Sequence, residues 1–161
     1  MNDVHFSSKS NEWQTPKYLF DWLNKEYNFK LDAAATKDNA LCDNYYTIED
    51  NALLKDWSGY GSVFCNPPYG RLIGKFVEKG YLESRKGSIV VFLIPARTDT
   101  RWWYNYCSKG NVIFLKGRVK FISNNSPSKN LCAPFPSAIV IFDKNIELPK
   151  TEYKDIKGIL K

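Results

Sequence analysis

Residues 64–71 read Phe-Cys-Asn-Pro-Pro-Tyr-Gly-Arg, and their types and spacing suit a specific chemistry. Two consecutive prolines remove two backbone donors and fix two φ angles. They also hold the preceding residue, Asn66, in an extended conformation. The apolar run Ser62-Val63-Phe64-Cys65 reads as a buried strand, so the chain must leave its sheet at Asn66. The result is a stiff shelf with an amide at its root, the Pro67 carbonyl beside it, Pro68 as a brace and the Tyr69 ring at its tip. Such a shelf can clamp a flat aromatic amine such as adenine. The Asn66 oxygen accepts one amino hydrogen, the Pro67 carbonyl the other, and Tyr69 packs on the ring face. Accepting both hydrogens draws the nitrogen toward tetrahedral geometry and frees its lone pair for an electrophile. A sulfonium methyl group needs little acid–base help, so positioning and electrostatics supply most of the catalysis. The bland alternative is an ordinary Pro-rich turn.

Composition narrows the choice. The sole histidine is His5, and Cys42, Cys65, Cys107 and Cys132 form no C-x-x-C pair. No zinc ligand set is evident, and no metal is expected. A zinc-dependent nucleobase deaminase is thereby disfavoured. A chain of 161 residues, 43% hydrophobic and 16% aromatic, fits one globular domain. No apolar run nears the ~20 residues that span a bilayer, and the polar start lacks a signal peptide's apolar core. A reducing cytoplasm is the expected setting. The net charge of +6 hints at a polyanionic partner. Lys116, Arg118 and Lys120 alternate with Leu115, Val119 and Phe121, while Arg97 and Arg101 stand beside Trp102-Trp103. Cations mixed with rings suit phosphates and stacked bases; an amphipathic strand with a solvated face is the alternative.

The elements that position these groups follow from pattern. Residues 1–12 read as a flexible tail. Tyr18, Leu19, Trp22, Leu23 and Tyr27 fall at helical spacing, with Thr15 as a candidate N-cap and Pro16 at the first helical position. Phe29–Ala34 is a short strand with Asp32 at its C-terminal end. Gly74–Gly87 has a helical period ending at a glycine. Ser88–Pro95 is a continuous apolar run, as in strands buried on both faces. Thr98–Gly110 reads as a helix starting near Thr98 or Asp99, with at least one of Trp102 and Trp103 in the core. Further strands lie at 111–115, 117–122 and 137–142, and Ser123–Pro134 is a polar loop, its Ser123–Asn130 part solvated or DNA-contacting. Residues 144–161 read as a charged tail adding at most a short helix, which leaves 13–143 as one domain. Alternating strands and helices predict an open α/β sheet, mostly parallel with an antiparallel edge strand. Ligands of such sheets bind beyond the strands' C-terminal ends, where Asp32, Asn66 and Pro95 are expected together.

Asn-Pro-Pro-Tyr after an apolar strand resembles the catalytic signature of S-adenosylmethionine-dependent amino-group methyltransferases. The colinear set EWQTPKYLFDWLNKEYNFKLDAAAT, FCNPPYGR, LIPARTDTRWW, GRVKF and APFPSAIVIF, over residues 11–143, is similar to the phage-type DNA N6-adenine methyltransferase (Dam-type) family. The resemblance implies an abbreviated Rossmann-like methyltransferase fold, S-adenosylmethionine as methyl donor and DNA as partner. It implies that Asn66, Pro67, Pro68 and Tyr69 are catalytic, with Asn66 also beside the cofactor. Trp13, Gln14, Thr15 and Pro16 would close over the cofactor's methionine part, Asp32 would meet its ammonium, and Ala33 and Ala34 would make close backbone contact. Asp50 would face its adenine or ribose. Phe135 would help Tyr69 sandwich the target base, with Arg71, Arg97, Arg101, Lys116, Arg118 and Lys120 on the DNA; for Arg97, the cofactor carboxylate stays open as an alternative.

Two features depart from the family pattern. Ala33-Ala34-Ala35 replaces the usual glycine-rich loop, and too few residues separate Asp32 from Ser62 for two full helix–strand units. No stretch is large enough for a separate recognition domain, so a short target site or weak selectivity is expected. Asp32 could also be a plain strand-end cap. N4-cytosine methylation, protein-glutamine methylation and a catalytically silent nucleic-acid-binding module are the other readings.

Overall fold

Strands that are apolar on both sides need cover on both sides, and that requirement organises the fold. The computed structural model describes residues 13–123 and 130–161. The N-terminal segment 1–12, with His5, and residues 124–129 of the expected polar loop lie outside the described residues.

A seven-stranded sheet is ordered β2-β1-β3-β4-β8-β5-β9. Its strands are β1 (Leu31–Asp32), β2 (Asn44–Tyr45), β3 (Ser62–Cys65), β4 (Ile89–Pro95), β5 (Asn111–Lys116), β8 (Ser137–Phe142) and β9 (Thr151–Asp155). Every strand except β8 runs the same way, and β8 is antiparallel to both β4 and β5. The antiparallel strand expected at an edge therefore lies inside the sheet. The reason is burial: all of Ser137–Phe142 is buried, and a strand apolar on both faces cannot sit at a solvated edge.

The outer edge is β9, from the segment expected to be a tail with at most a short helix. It pairs with β5 from Val112↔Thr151 to Lys116↔Asp155 and leads into the short helix α4 (Ile156–Leu160). Its polar, exposed sequence Thr-Glu-Tyr-Lys-Asp carries no apolar alternation, so its pairing was not readable as a strand.

Helices cover both faces. Helix α1 (Lys17–Tyr27) sets Leu19, Phe20 and Leu23 against Phe64, Val91, Leu93, Ile139 and Ile141. Helix α2 (Ile73–Arg85) sets Ile73, Phe76 and Val77 against the opposite face, with Val63, Val90, Phe92, Val140 and Phe142. Alternation along β4 and β8 thus splits one sheet into two cores. Gly80 lets α2 approach β4 closely, since a Cβ there would stand 2.3 Å from the Phe92 ring. The expected helix after Thr98 is shorter than its pattern: α3 spans Arg101–Asn105, capped by the Thr100 hydroxyl, and a 3₁₀ turn follows at Cys107–Lys109. Trp103 is buried and Trp102 packs against the same core.

A separate ribbon, β6 (Lys120–Ile122) with antiparallel β7 (Asn130–Cys132), stands beside the sheet, so the segment expected to be a loop through Pro134 contains a strand paired with Lys120–Ile122. Gln14 joins β6 through an isolated bridge to Ile122. No helix among the described residues is long and apolar enough to cross a membrane.

Candidate active site

The exits of β1 and β3 lie side by side, because Asp32 is registered with Phe64 and Asn66 follows two residues later. A cleft of about 530 Å³ opens over them, lined among others by Trp13, Gln14, Thr15, Asp32, Ala33, Ala34 and Asn66. That volume lies within the ~300–1,000 Å³ usual for small-molecule sites.

Asp32 is 3% exposed at the base of the cleft. Its oxygens accept from the Leu41 N–H at 3.1 Å and, more weakly, the Ala34 N–H at 3.4 Å. The Ala33 N–H is tied to the Phe64 carbonyl, so the alanine segment closes tightly around the carboxylate. Burial pushes the Asp32 carboxyl up to about 7, against the smaller opposing effect of those two N–H groups. The shift corresponds to about 4 kcal/mol against ionisation. No cation among the described residues pairs with it. A plain strand-end cap would not need this burial; a site for a cationic ligand group would use it.

Asn66 has unequal ends. Its Nδ2 donates to the Trp13 carbonyl at 2.7 Å and to the Thr15 hydroxyl at 3.0 Å. Its Oδ1 is buried and accepts no hydrogen bond. Thr15, expected as the N-cap of α1, instead accepts from this amide through its hydroxyl oxygen, and Pro16 takes the cap position with extended backbone. Pro16 does not line the cleft; its carbonyl accepts from Leu19 and Phe20 in the first turn of α1. The Trp13–Thr15 strap is held from the other side by two hydrogen bonds between Gln14 and Ile122, at 3.1 and 3.3 Å.

The Tyr69 hydroxyl donates to the Leu93 carbonyl at 3.0 Å, and burial holds its phenol pKa well above the usual value. The rings of Tyr69 and Phe135 meet edge to face at 5.5 Å and 80°. Phe135 also meets Trp13 edge-on at 5.4 Å, and Phe121 touches all three. The two rings expected to sandwich a base are thus in direct contact, with no parallel gap between them.

The cations sit elsewhere on the same rim. Arg97 follows β4, Arg101 opens α3, Lys116 ends β5, and Arg118 and Lys120 lead into β6; all are exposed, as is Arg71. None of the six lines the cleft. Lys116 is paired with Asp155 at 2.9 Å. Asp50, expected to face the cofactor, does not line the cleft: its carboxylate accepts from the Thr47 N–H and hydroxyl at 2.8 and 3.1 Å. The cleft wall there is Thr47, Ile48, Asn51, Ala52 and Leu53. These residues escaped the sequence reading, as did Thr36–Leu41. The signal available was the pair Thr36 and Asn39, which bond each other's backbone N–H groups and shape the loop over Asp32. No group of three His, Cys, Asp or Glu residues able to hold a metal occurs among the described residues.

Comparison with known proteins bears on the family and the fold. The sequence is 29% identical over 157 residues to a DNA N-6-adenine-methyltransferase of Haemophilus phage HP1, covering 94% of this chain and 86% of that one. It is 34% identical over 92 residues to a DNA N-6-adenine-methyltransferase of Escherichia phage T1, covering 56% of this chain but only 38% of that protein's length. In fold it resembles a Listeria monocytogenes protein assigned to the class I S-adenosylmethionine-dependent methyltransferases, with a TM-score of 0.57 at 14% identity over 94% of this chain and 68% of that one. The family model described as DNA N-6-adenine-methyltransferase (Dam) matches residues 5–157, and the chain belongs to that family.

Proposed function

We propose that the chain transfers a methyl group from S-adenosylmethionine to the exocyclic amino group of adenine in DNA. The observation that carries this reading is the pairing, in one cleft, of a buried uncompensated carboxylate with an unpartnered amide oxygen. The first suits the cofactor's ammonium and the second suits the adenine amine.

In this reading Asp32, once ionised, holds the ammonium, and Trp13, Gln14 and Thr15 wall the cofactor on the strap side. When bound, S-adenosylmethionine supplies an electrophilic methyl group on a positively charged sulfur. Asn66 Oδ1 and the Pro67 carbonyl then accept the two amino hydrogens of the target adenine. This localises the nitrogen lone pair and aims it at the methyl group; the new N–C bond would replace the methyl–sulfur bond, S-adenosylhomocysteine would leave, and the methylated amine would lose its proton to water. These acceptors strengthen as the nitrogen gains positive charge, so they favour the transition state over the ground state. An adenine in a duplex is stacked and cannot reach the shelf, so it must be flipped out or drawn from a single strand. Tyr69 and Phe135 hold the ring, and Arg71, Arg97, Arg101, Lys116, Arg118 and Lys120 hold phosphates. Such a substrate fits work in the cytoplasm of a bacterium or phage-infected cell.

The deciding assay is transfer of labelled methyl from S-adenosylmethionine to oligonucleotides, with the product nucleoside identified by mass spectrometry. N6-methyladenine is the expected product. Label found only in cytosine or in protein, or no transfer, would overturn the reading.

A further inference from the structure

We propose that Thr15 and the Trp13 carbonyl set the polarity of the Asn66 amide, making the cofactor-side strap a positioning element for the catalytic acceptor. The inference rests on the methyl-transfer reading above. The two ends of an asparagine amide are nearly equal in size and opposite in function: one donates twice, the other only accepts. Clamping an adenine amine requires the oxygen to face the substrate. Nothing in the shape of the Asn66 side chain enforces that choice, so its neighbours must.

The neighbours on one side both accept in this structure. The Trp13 carbonyl can only accept, and it stands 2.7 Å from Nδ2; the Thr15 hydroxyl accepts at 3.0 Å. Turning the amide over would bring Oδ1 against the Trp13 carbonyl oxygen at this distance and would take the Nδ2 hydrogens from both acceptors; the Thr15 hydroxyl, which can also donate, supports the choice that the carbonyl enforces. Both faults are costly where water is excluded, and Thr15 is only 9% exposed. The present orientation leaves Oδ1 without a partner, as an acceptor reserved for a ligand would be. The strap cannot readily yield, because Gln14 is bridged to Ile122 on one side and Pro16 starts helix α1 on the other. Trp13, Gln14 and Thr15 also line the cleft, so the wall of the cofactor site and the orientation of the catalytic amide are one unit. The same geometry explains why position 66 suits asparagine. An ionised aspartate would present an oxygen to the Trp13 carbonyl, and only its protonated form could donate there.

The test compares Thr15→Val, which keeps the shape and removes the acceptor, with Thr15→Ser, which keeps the hydroxyl. Turnover of Thr15→Val should fall about tenfold while its calorimetric affinity for S-adenosylmethionine stays within about threefold; Thr15→Ser should retain most of the turnover. Undiminished turnover in Thr15→Val overturns the proposal. So does an equal loss in both variants, or a loss of cofactor affinity as large as the loss of turnover. Should Thr15→Val fail to fold, Asn66→Asp decides. Asp32, Asp38, Lys17, Tyr46, Cys65 and Tyr69, the other ionisable groups around the site, are common to Asn66→Asp and the wild type. The ratio of their rates therefore isolates position 66, and it should climb as pH falls. A ratio independent of pH overturns the proposal. A wild-type chain that methylates no adenine refutes the underlying reading and takes this inference with it; adenine methylation with an unaffected Thr15→Val refutes the inference alone.

Discussion

The two halves of the site differ in readiness. The cofactor half is an open cleft of about 530 Å³ with its carboxylate in place and its walls pinned by hydrogen bonds. The base half is shut: Tyr69 and Phe135 touch edge to face, and the Asn66 oxygen between the halves is covered. In the proposed reading the cofactor would bind without rearrangement, whereas a base would have to push these rings apart before being clamped. The order of events that this favours is cofactor first, base second. A closed base slot also keeps water from the acceptor until a substrate arrives.

The largest expected effect comes from the group shared by both halves. Asn66→Ala should lower turnover by about a hundredfold or more. Loss of the two hydrogen bonds to the strap should weaken cofactor binding only a few-fold, read by calorimetry. A variant that kept full turnover would show that the amide clamps nothing.

Next comes the cofactor half alone. Asp32→Asn should weaken S-adenosylmethionine binding by about tenfold or more, since a hydrogen-bonded charge pair is lost. The sign of the pH dependence follows from the Asp32 carboxyl, raised by burial to about 7. Only the ionised form holds an ammonium, so affinity should tighten as pH rises through about 7. Stability without ligand should run the other way. Folded protein keeps the Asp32 proton where the unfolded chain, with a carboxyl near pH ~4, has lost it. This contribution is therefore full below pH ~4 and declines as pH rises through about 7. Thermal melts with and without cofactor across this range, repeated on Asp32→Asn, would check both slopes; parallel wild-type and variant profiles would exclude Asp32.

The same contrast separates what was legible in the sequence from what was not. Asp32, Asn66 and Tyr69 stand at exits of short apolar strands, and a strand end marked by proline or a carboxylate is a local signal. The two buried strands Ile89–Pro95 and Ser137–Phe142 were legible because four or more consecutive apolar residues have few other places to go. Asp50 does not line the cleft in this structure, where the Thr47 N–H and hydroxyl hold its carboxylate, and which way such a turn faces is not a local signal. Thr15 looked like a helix cap because a hydroxyl before Pro16 has the right spacing. Its actual partner lies 51 residues away, and no local pattern encodes that. The position of β8 inside the sheet, and of β9 at its edge, likewise rests on long-range pairing.

Smaller effects are expected in the base half. Tyr69→Ala should raise the DNA KM about tenfold, since one stacking contact is worth roughly 1–3 kcal/mol, and Tyr69→Phe should retain much of the activity. Phe135→Ala should lose less, because the same substitution that removes a stacking partner also opens the slot. Fluorescence of 2-aminopurine at the target position would report the flipped base directly. A loss in Phe135→Ala equal to that in Tyr69→Ala would mean that the contact between the rings does not gate access.

The smallest effects, and the finest division between the halves, lie in the cations of the rim. DNA binding should weaken linearly on a log–log plot against salt, and removing one phosphate contact should reduce the slope by about 1. Arg97→Ala, Arg101→Ala, Arg118→Ala and Lys120→Ala are each expected to do so. Lys116→Ala should change the slope less, because Lys116 already pairs with Asp155 at 2.9 Å. A phosphate must compete with that carboxylate, although the pair is exposed and weak. Asp155→Ala then becomes the complementary probe: it frees Lys116, removes a repulsive charge from the DNA side and should strengthen DNA binding slightly. Cofactor affinity should not respond to any of these changes, since none of the cations lines the cleft. A cofactor affinity that followed Arg97→Ala would instead put that guanidinium on the cofactor carboxylate, and would move one residue from the base half of the site to the other.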